Sequence, residues 1–347
     1  MPIPSRGYVL TEAGGELKPY EFNRRDVGED DILVNLMYCG ICHSDLLVAG
    51  NELGNANFPL VPGHEIVGRV SEIGINVSNH KVGDIVGIGC IVDSCRNCNS
   101  CGSGDEHYCE SGWTMSFNAK DKYNQYTCGG YSSNYVVDHR YAVKISPDLD
   151  PAKAAPLLCG GITVYAPLIR HQAGPGKRVG ILGLGGLGHL AVKFASAMGA
   201  SVTMLTSSSA KAEDAKVLGA DDVIVTSDAD AVTAAAGSLD LIINTVSEKH
   251  DPNPFLHMLK RDGVMSLVGA PAKPIELFAP ALVMGDKSIT GSMIAGIEMT
   301  QQMLNFCAKH NITAETEVIP IDYVNEAWER MRKKDVRYRF VIDLSTL

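Results

Sequence analysis

A glycine-rich segment between a buried strand and a helix constrains the fold of this chain more than any other feature. A short buried strand is predicted over Arg178–Leu182, the loop Gly183-Leu184-Gly185-Gly186-Leu187-Gly188 follows, and an apolar-periodic helix runs from about His189 to Met198. A second strand, Ser201–Leu205, comes at the spacing of a βαβ unit. The glycines permit a tight turn, and free amides at the helix N-terminus attract a pyrophosphate. The segment predicts a dinucleotide-binding loop; a glycine-rich turn without a ligand is the alternative.

The alternation of strands and helices continues well beyond this loop. Strands are predicted near 178–182, 201–205, 222–226, 239–244, 263–268 and 288–293. That is the number of strands in a doubly wound parallel sheet.

The rest of the chain has a different pattern. Strand-like runs in residues 1–150 are separated by Gly, Pro and Asn, which indicates an all-β domain with loops; the runs are Ile32–Met37, Ile66–Ile73, Ile85–Val92 and Tyr131–Val137. The tail has predicted helices near Glu298–His310 and Tyr323–Lys333 and ends in a strand over Tyr338–Leu344. A chain of 347 residues is long enough for about two such domains.

The end of the second strand of the nucleotide unit predicts the cofactor. In NAD enzymes an Asp or Glu follows the glycines by about 20 residues and binds the ribose. Here the strand ends in Thr206-Ser207-Ser208-Ser209-Ala210-Lys211. Hydroxyls and a lysine suit a 2′-phosphate, so NADP(H) is favoured over NAD(H). Alternatively, Ser209 caps the next helix and Lys211 is solvated, which is compatible with phosphate binding.

Four of the ten cysteines lie in one short segment. They form a C-x2-C-x2-C-x7-C run of Cys95, Cys98, Cys101 and Cys109. Zinc takes four thiolates in tetrahedral geometry, and such a closed site is structural rather than catalytic. Two disulfides or an iron–sulfur cluster are the alternatives, although iron–sulfur motifs have a different spacing.

A second set of metal-binding residue types is dispersed along the chain. Cys42, His64 and Cys159 are not joined by spacing, and each by itself is more often a core or surface residue than a ligand. Together they make a two-cysteine, one-histidine set with a free fourth position, which is the catalytic zinc arrangement of alcohol dehydrogenases.

Composition and charge exclude several classes of protein. Apolar residues make up 45% and charged residues 20% of the chain, as in globular proteins. A net charge of −10 argues against nucleic acid as the main partner. The longest uncharged apolar stretch, residues 154–169, contains Pro and Gly and is shorter than the ~18 residues of a membrane span. No membrane partner and a cytoplasmic location are therefore expected.

Taken in their order, these motifs resemble the zinc-containing alcohol dehydrogenases of the medium-chain dehydrogenase/reductase superfamily over essentially the whole chain. More narrowly, the chain is similar to the cinnamyl alcohol dehydrogenases and the bacterial broad-range aldehyde reductases. The segments that carry the narrower likeness are Cys39–Leu46, Pro62–Glu65, Val86–Cys90, Leu158–Tyr165, the glycine loop, Thr206–Lys211, Asp262–Gly263, Gly269–Pro271 and Gly291–Ile294.

The resemblance implies an α/β plus β fold. A Rossmann domain with a doubly wound parallel sheet would comprise residues 153–294, and a GroES-like β-rich catalytic domain would comprise residues 1–152 and 295–347. Homodimers would form by sheet pairing near residues 284–294.

The resemblance also implies the roles of individual residues. Cys42, His64 and Cys159 would hold a catalytic zinc, with Glu65 as an exchangeable ligand or a residue behind the ligands. Asp45 would orient His64. With the four-cysteine site, this makes two zinc ions per chain. The remaining residues would serve the proton transfer (Ser44), the pyrophosphate (His43), the nicotinamide (Thr163) and the rest of the cofactor cleft (Thr245, Gly269, Ser292, Met293 and Ile294).

The implied reaction is reversible, zinc-dependent reduction of aromatic and aliphatic aldehydes by NADPH to primary alcohols. One departure is Leu47, which stands where family members commonly have the histidine that passes the proton onward. This departure motivates an alternative on the same fold, reduction of iminium or conjugated double bonds. A non-enzymatic role in nucleotide sensing or structure is the alternative from a different class. Trp113 is either a pocket aromatic or a packing residue.

Overall fold

The computed structural model describes residues 2–271 and 273–347. It divides the chain into two units: a first unit of the residues up to Cys159 together with Ala295–Leu347, and a second unit of Gly160–Ile294.

The secondary structure of the first unit begins with short strands and few helical residues. Its strands before Cys159 are β1 Ile3–Val9, β2 Lys18–Arg24, β3 Asp31–Gly40, β4 Ile66–Ile73, β5 Ile85–Ile88, β6 Ile91–Asp93, β7 Thr114–Met115, β8 Asn134–Asp138 and β9 Ala142–Lys144. Its α-helices there are α1 His43–Ala49, α2 Asn99–Gly102 and α3 Pro151–Ala154.

The second unit alternates between helix and strand. Its helices are α4 Gly160–Arg170, α5 Gly188–Ala197, α6 Ala212–Val217, α7 Ala229–Ala234, α8 Asn253–Met258 and α9 Ala279–Val283. Its strands are β10 Arg178–Leu182, β11 Ser201–Thr206, β12 Asp222–Val225, β13 Leu239–Asn244, β14 Leu259–Leu267 and β15 Ser288–Gly291. The tail then adds α10 Ile297–His310, β16 Thr316–Pro320, α11 Val324–Arg332 and β17 Arg339–Asp343.

The strands of the second unit form one parallel sheet in the order β12-β11-β10-β13-β14-β15. The first strand, β10, lies in the middle of the sheet. The strands β11 and β12 extend the sheet to one edge, and β13, β14 and β15 extend it to the other, which is the doubly wound order. Apolar side chains on β10, β11 and β13 are buried against the helices, and this explains the continuous apolar runs in the sequence. The predicted Rossmann sheet is confirmed.

The first unit is built on a sheet of order β16-β17-β3-β4-β5-β9, with β8 also paired to β3. The tail strand β17 lies antiparallel to β3, with Ile342 opposite Cys39. The tail therefore belongs to this β-rich unit, and Arg339, at the start of β17, is brought close to the segments that follow β3.

Several boundaries differ from the sequence predictions, and three of these differences have a clear physical reason. The change of unit falls between Cys159 and Gly160 rather than after residue 152, because α3 and the turn after it pack against β3 and β4. The predicted strand 85–92 is two strands, β5 and β6, interrupted at Gly89 and Cys90, where Gly89 packs against the carbonyl of Leu158. Strand β14 begins earlier than predicted, because Leu259 pairs with Leu239.

Within residues 2–271 and 273–347, no single helix is both long and apolar enough to cross a bilayer. One bent pair of helical segments, Pro151–Leu158 with Gly160–Arg170, has the length and apolar composition of a membrane span, and no other feature of the described residues indicates one.

Candidate zinc and cofactor sites

The four dispersed residues predicted to hold the catalytic zinc come together inside the first unit. The ligand atoms of Cys42, His64, Glu65 and Cys159 all lie within 4.8 Å of one another, and we call this group the catalytic cluster. The Sγ atoms of Cys42 and Cys159 are 3.9 Å apart, although 117 residues separate them in sequence. Such a distance allows two thiolates to share one metal ion and excludes a disulfide bond between them.

Local backbone structure positions two of these side chains. Cys42 has extended backbone and is the N-cap of α1, so its Sγ lies at the start of that helix. His64 follows Gly63, whose φ of +108° and close approach to Gly130 and Tyr131 leave no room for a Cβ atom.

The imidazole of His64 is held in one orientation by Asp45. Its Nδ1 lies 3.0 Å from Oδ1 of Asp45, so Nδ1 carries the proton and donates to the carboxylate. Its Nε2 is buried and has no hydrogen-bond partner among the described residues. A buried lone pair without a partner is costly, and coordination of a metal satisfies it. The donor set therefore fits zinc.

Asp45 is itself fully fixed by other hydrogen bonds. Its Oδ1 also accepts from the amide of Gly63 at 3.2 Å, and its Oδ2 accepts from the amide of Cys42 at 2.9 Å. The side chain is completely buried. One carboxylate thus orients the ring of His64 and the backbone of Cys42 together.

Hydrogen bonds between the thiols of the catalytic cluster shift their pKa values. The hydrogen bond from Cys159 lowers the pKa of Cys42 well below its usual value, against the opposing effect of burial. The same bond, a second one to Cys90, and burial raise the pKa of Cys159 well above its usual value. A lowered pKa favours the thiolate form of Cys42.

Glu65 has a partner that the sequence did not reveal. Its Oε1 accepts from the buried guanidinium of Arg339, which also donates to the carbonyl of Ile41 at 3.0 Å. Burial raises the pKa of Glu65 to about 8, although the charge of Arg339 acts in the opposite direction. The position of Arg339 inside the apolar run 338–344 indicates that the cation has a buried partner, but it does not indicate which residue that partner is.

Two further neighbours of the catalytic cluster were also missed. The thiol of Cys90 makes a hydrogen bond with Cys159. The ring of Phe117 stacks on His64 with centroids 5.6 Å apart. Ser44, which was predicted, lies with Oγ 3.7 Å from Sγ of Cys42.

The other predicted residues near the catalytic cluster are placed as follows. His43 is exposed on the first turn of α1, and Leu47 is half-buried on the same helix. Trp113 is half-buried just before β7.

The four-cysteine segment also folds into a cluster. The Sγ atoms of Cys95, Cys98, Cys101 and Cys109 lie within 4.8 Å of one another, and all four are free thiols. Backbone amides point at two of the sulfur atoms: Cys101 N donates to Cys98 Sγ and Cys95 N donates to Cys109 Sγ, both at 3.4 Å. Amide donors, that of Asn97 first, lower the pKa of Cys95 to about 6. The arrangement fits a closed thiolate site for zinc and not a pair of disulfides.

The glycine loop, Gly183–Gly188, connects β10 to α5 in the second unit. Gly183 has a φ of +94°, and a Cβ on Gly188 would overlap the carbonyl oxygen of Gly183. A Cβ on Gly185 would meet nothing within 4 Å, so this part of the loop is open to a ligand. A tight turn, an open approach and close packing, in that order, are the three roles of the glycines in a pyrophosphate-binding loop. The loop therefore fits a dinucleotide.

The other predicted cofactor residues of this unit lie mostly at the same edge of the sheet. Thr206 ends β11, and five others follow strands, namely Thr245, Gly269, Ser292, Met293 and Ile294. The hydroxyl of Thr245 donates to the carbonyl of Leu182 at 2.8 Å. Thr163 is buried in α4. Because parallel strands end at one edge, the sheet brings these residues to the glycine loop.

The segment predicted to select NADP(H) is also at this edge. Ser207 and Ser209 are exposed, and Ser208 donates its amide to Oγ1 of Thr206 at 3.3 Å. The Nζ atom of Lys211 donates to the carbonyl of Leu184 in the glycine loop at 3.0 Å. A cation and hydroxyls therefore lie beside the loop, which suits a 2′-phosphate.

Comparison with known proteins shows the family of this chain. The model of the alcohol dehydrogenase GroES-like domain matches residues 28–147, and that of the zinc-binding dehydrogenase family matches residues 186–309. The chain belongs to the zinc-containing alcohol dehydrogenases of the medium-chain dehydrogenase/reductase superfamily, in the cinnamyl alcohol dehydrogenase group. The predictions of family and fold are confirmed.

Individual relatives are similar over nearly the whole chain. The aldehyde reductase YahK of Escherichia coli is 50% identical over 336 residues, 95% of each protein. The NADP-dependent alcohol dehydrogenase C 1 of Mycolicibacterium smegmatis is 49% identical over 341 residues, 98% of each protein. The structure of a cinnamyl alcohol dehydrogenase from Sorghum bicolor superposes with a TM-score of 0.95 at 46% identity, covering 99% of this chain and 98% of that one.

Proposed function

We propose that this enzyme transfers hydride reversibly between NADPH and small aldehydes, aromatic and aliphatic, and forms primary alcohols. The observation that carries the proposal is the buried Nε2 of His64, which Asp45 orients beside the thiols of Cys42 and Cys159. The relatives named as an aldehyde reductase and as an NADP-dependent alcohol dehydrogenase confirm the prediction of a zinc- and NADP-dependent dehydrogenase, and they remove the non-enzymatic alternative.

The residues of the first unit have separate tasks in this reaction. Cys42, His64 and Cys159 would hold the zinc, which when bound supplies a Lewis acid for a carbonyl oxygen. Asp45 keeps the proton of His64 on Nδ1, so that Nε2 stays available. The Ser44 hydroxyl would give the proton to the nascent alkoxide. Leu47 cannot pass that proton onward, so the transfer beyond Ser44 and the cofactor ribose needs water or another residue.

The direct test is NADPH consumption by the zinc-loaded enzyme with a panel of aromatic and aliphatic aldehydes, with NADH in parallel. We expect fast turnover with NADPH. NADPH binding without turnover of any aldehyde would contradict the proposal, and turnover of iminium or conjugated substrates in its place would support the alternative that Leu47 motivates.

Replacement of Lys211 by Glu is expected to shift the preference from NADPH toward NADH by about 100-fold, because it exchanges a charged hydrogen-bond donor for a repelling carboxylate. The ratio of kcat/KM for the two cofactors measures the shift. Lys216→Glu, the same charge change in the last turn of α6, is the matched control and should leave the ratio as it is. An unchanged ratio in Lys211→Glu would refute the phosphate-binding role.

We further propose a homodimer formed through the edge strand β15. This strand pairs only with β14 in the described sheet, and apolar side chains nearby are exposed, namely Phe278, Val283 and Met284. Covering such a patch favours association. Light scattering should give twice the chain mass of 37.1 kDa, and Met284→Lys should shift the protein toward the monomer. A monomeric wild-type protein would contradict the proposal.

A cytoplasmic location is proposed on the state of the thiols. Both zinc clusters require reduced cysteines, and the ten cysteines are free thiols in this structure. A reducing compartment maintains them.

A further inference from the structure

We propose that Asn244 and His250 form a positioning pair that holds the loop between β13 and α8 at the cofactor edge of the sheet, and that only the neutral form of His250 does so. The pair would make NADPH affinity depend on the protonation of a residue that touches neither the zinc clusters nor the glycine loop. This inference rests on the proposed binding of NADPH at that edge.

Asn244 connects two of the predicted cofactor segments. It is the last residue of β13 and is 1% exposed. Its carbonyl oxygen accepts from the amides of Val268 and Gly269, at 3.0 and 3.1 Å. Its side-chain Oδ1 accepts from the amide of Val246 at 3.1 Å. The residue therefore ties the start of the loop to the segment that contains Gly269.

The remaining hydrogen bond of Asn244 determines the protonation of His250. Because Oδ1 is used by Val246, the amide nitrogen Nδ2 points to Nε2 of His250, at 2.8 Å. An amide nitrogen is only a donor, so Nε2 must be an acceptor. The other ring nitrogen, Nδ1, lies 2.9 Å from the carbonyl oxygen of Glu248 and must carry the proton. The two bonds together select the neutral tautomer with the proton on Nδ1.

Protonation of His250 would disrupt this arrangement. A proton on Nε2 would face the N–H that Nδ2 of Asn244 directs at it, which places donor against donor. Rotation of the amide would relieve this contact but would leave the amide of Val246 without its acceptor in a partly buried site. Protonation of His250 would therefore release the loop.

The charged groups around the pair have partners of their own. On the loop, Lys249 pairs with Glu276 at 3.7 Å, and Asp251 accepts from both nitrogen atoms of Asn253 at the start of α8. From β14, the neutral Sδ of Met265 faces Nδ2 of Asn244 at 3.8 Å. Glu248 is the remaining charged residue of the loop.

The same unit contains other histidines and would bind the cofactor phosphate, so a pH profile of the wild-type protein alone does not isolate His250. His189 contacts the carbonyl of Gly185, His171 contacts Thr290, and the phosphate of the cofactor has a pKa of about 6 as a monoester. All of these are unchanged in a variant at position 250. The difference between variants is therefore the informative quantity.

The test compares four forms of the zinc-loaded, full-length enzyme at about pH 8 and about pH 5.5, on either side of the usual histidine range. They are the wild type, His250→Gln, His250→Leu and His257→Gln. A glutamine oxygen accepts from Asn244 at every pH, leucine never does, and His257 is an exposed histidine of α8 that controls for the loss of one titrating group. The dissociation constant of NADPH is measured by the fluorescence of the bound nicotinamide.

We expect His250→Leu to weaken NADPH binding about fivefold at pH 8, the effect of one hydrogen bond, and His250→Gln to restore it. On acidification, the wild type and His257→Gln should lose about fivefold more affinity than His250→Gln. Before cofactor is added, hydrogen exchange should show lower protection of the Val246 amide at pH 5.5 in the wild type than in His250→Gln.

Coincident pH profiles for the wild type and His250→Gln, in both affinity and exchange, would overturn the inference even if His250→Leu fails to fold. If the wild type binds NADPH tightly but its pH profiles coincide with those of His250→Gln, the inference is overturned and the proposed function is not. Absence of NADPH binding by the wild type at pH 8 overturns the proposed function as well.

Discussion

Replacement of Cys42 by serine is expected to lower kcat for aldehyde reduction by about a thousandfold, because it would remove a ligand of the catalytic zinc. As a Lewis acid, this zinc would lower the activation barrier by several kcal/mol. Serine is a good N-cap, so α1 should still begin at the same residue. The zinc content should fall from two ions per chain toward one. NADPH affinity should remain largely intact, because the glycine loop lies in the second unit.

Steady-state kinetics, zinc analysis and NADPH titration measure these three effects separately. Cys128→Ser is the matched control, since Cys128 is a half-buried thiol that belongs to neither cluster, and it should keep both zinc ions and its activity. Normal turnover in Cys42→Ser would refute the assignment of the catalytic cluster.

The second large effect is expected at the four-cysteine cluster. Cys101→Ser should release the structural zinc and lower Tm by about 10 °C or more, because a structural zinc ion contributes many kcal/mol to the folding of the segment around it. The four thiols span only residues 95–109, and this segment has few regular elements besides α2. Without the metal, little else would hold it. Residual activity should persist at low temperature, because the catalytic cluster is retained.

Scanning calorimetry and zinc analysis check this expectation. Ser103→Ala changes an exposed residue in the same segment and leaves the four thiols in place, so it should retain Tm and zinc. An unchanged Tm on loss of one zinc ion would contradict the structural role. Iron with its characteristic absorption in the wild-type protein would contradict the choice of metal.

Local patterns allowed much of the fold to be predicted. The parallel strands 178–182 and 239–244 have the predicted bounds, because a strand buried on both faces is a continuous apolar run. The glycine loop and the cluster at 95–109 were also predictable, because their residues are close in sequence. Spacing is informative for such sites.

Other features of the site depend on contacts that sequence spacing does not encode. Cys42, His64 and Cys159 were grouped by their resemblance to a family, and Arg339 was missed although it contacts Glu65 across 274 residues. Cys90 was seen only as part of a motif. The pairing of β17 with β3 decides the position of Arg339, and no local pattern indicates which strands pair at such a distance.

By itself, the sequence determined the order of the elements, the alternation that makes a doubly wound sheet, and the two sites whose residues are neighbours in the chain. Only the tertiary structure decided which distant side chains share one buried space. It thereby decided the Nε2 of His64 that has no hydrogen-bond partner in the described part of the chain, the contact of Glu65 with Arg339, and the hydrogen bonds of His250. The physical reason is that periodicity records which face of an element is buried, whereas hydrogen bonds and metal coordination depend on distances of about 3 Å between groups that the packing of whole elements brings together.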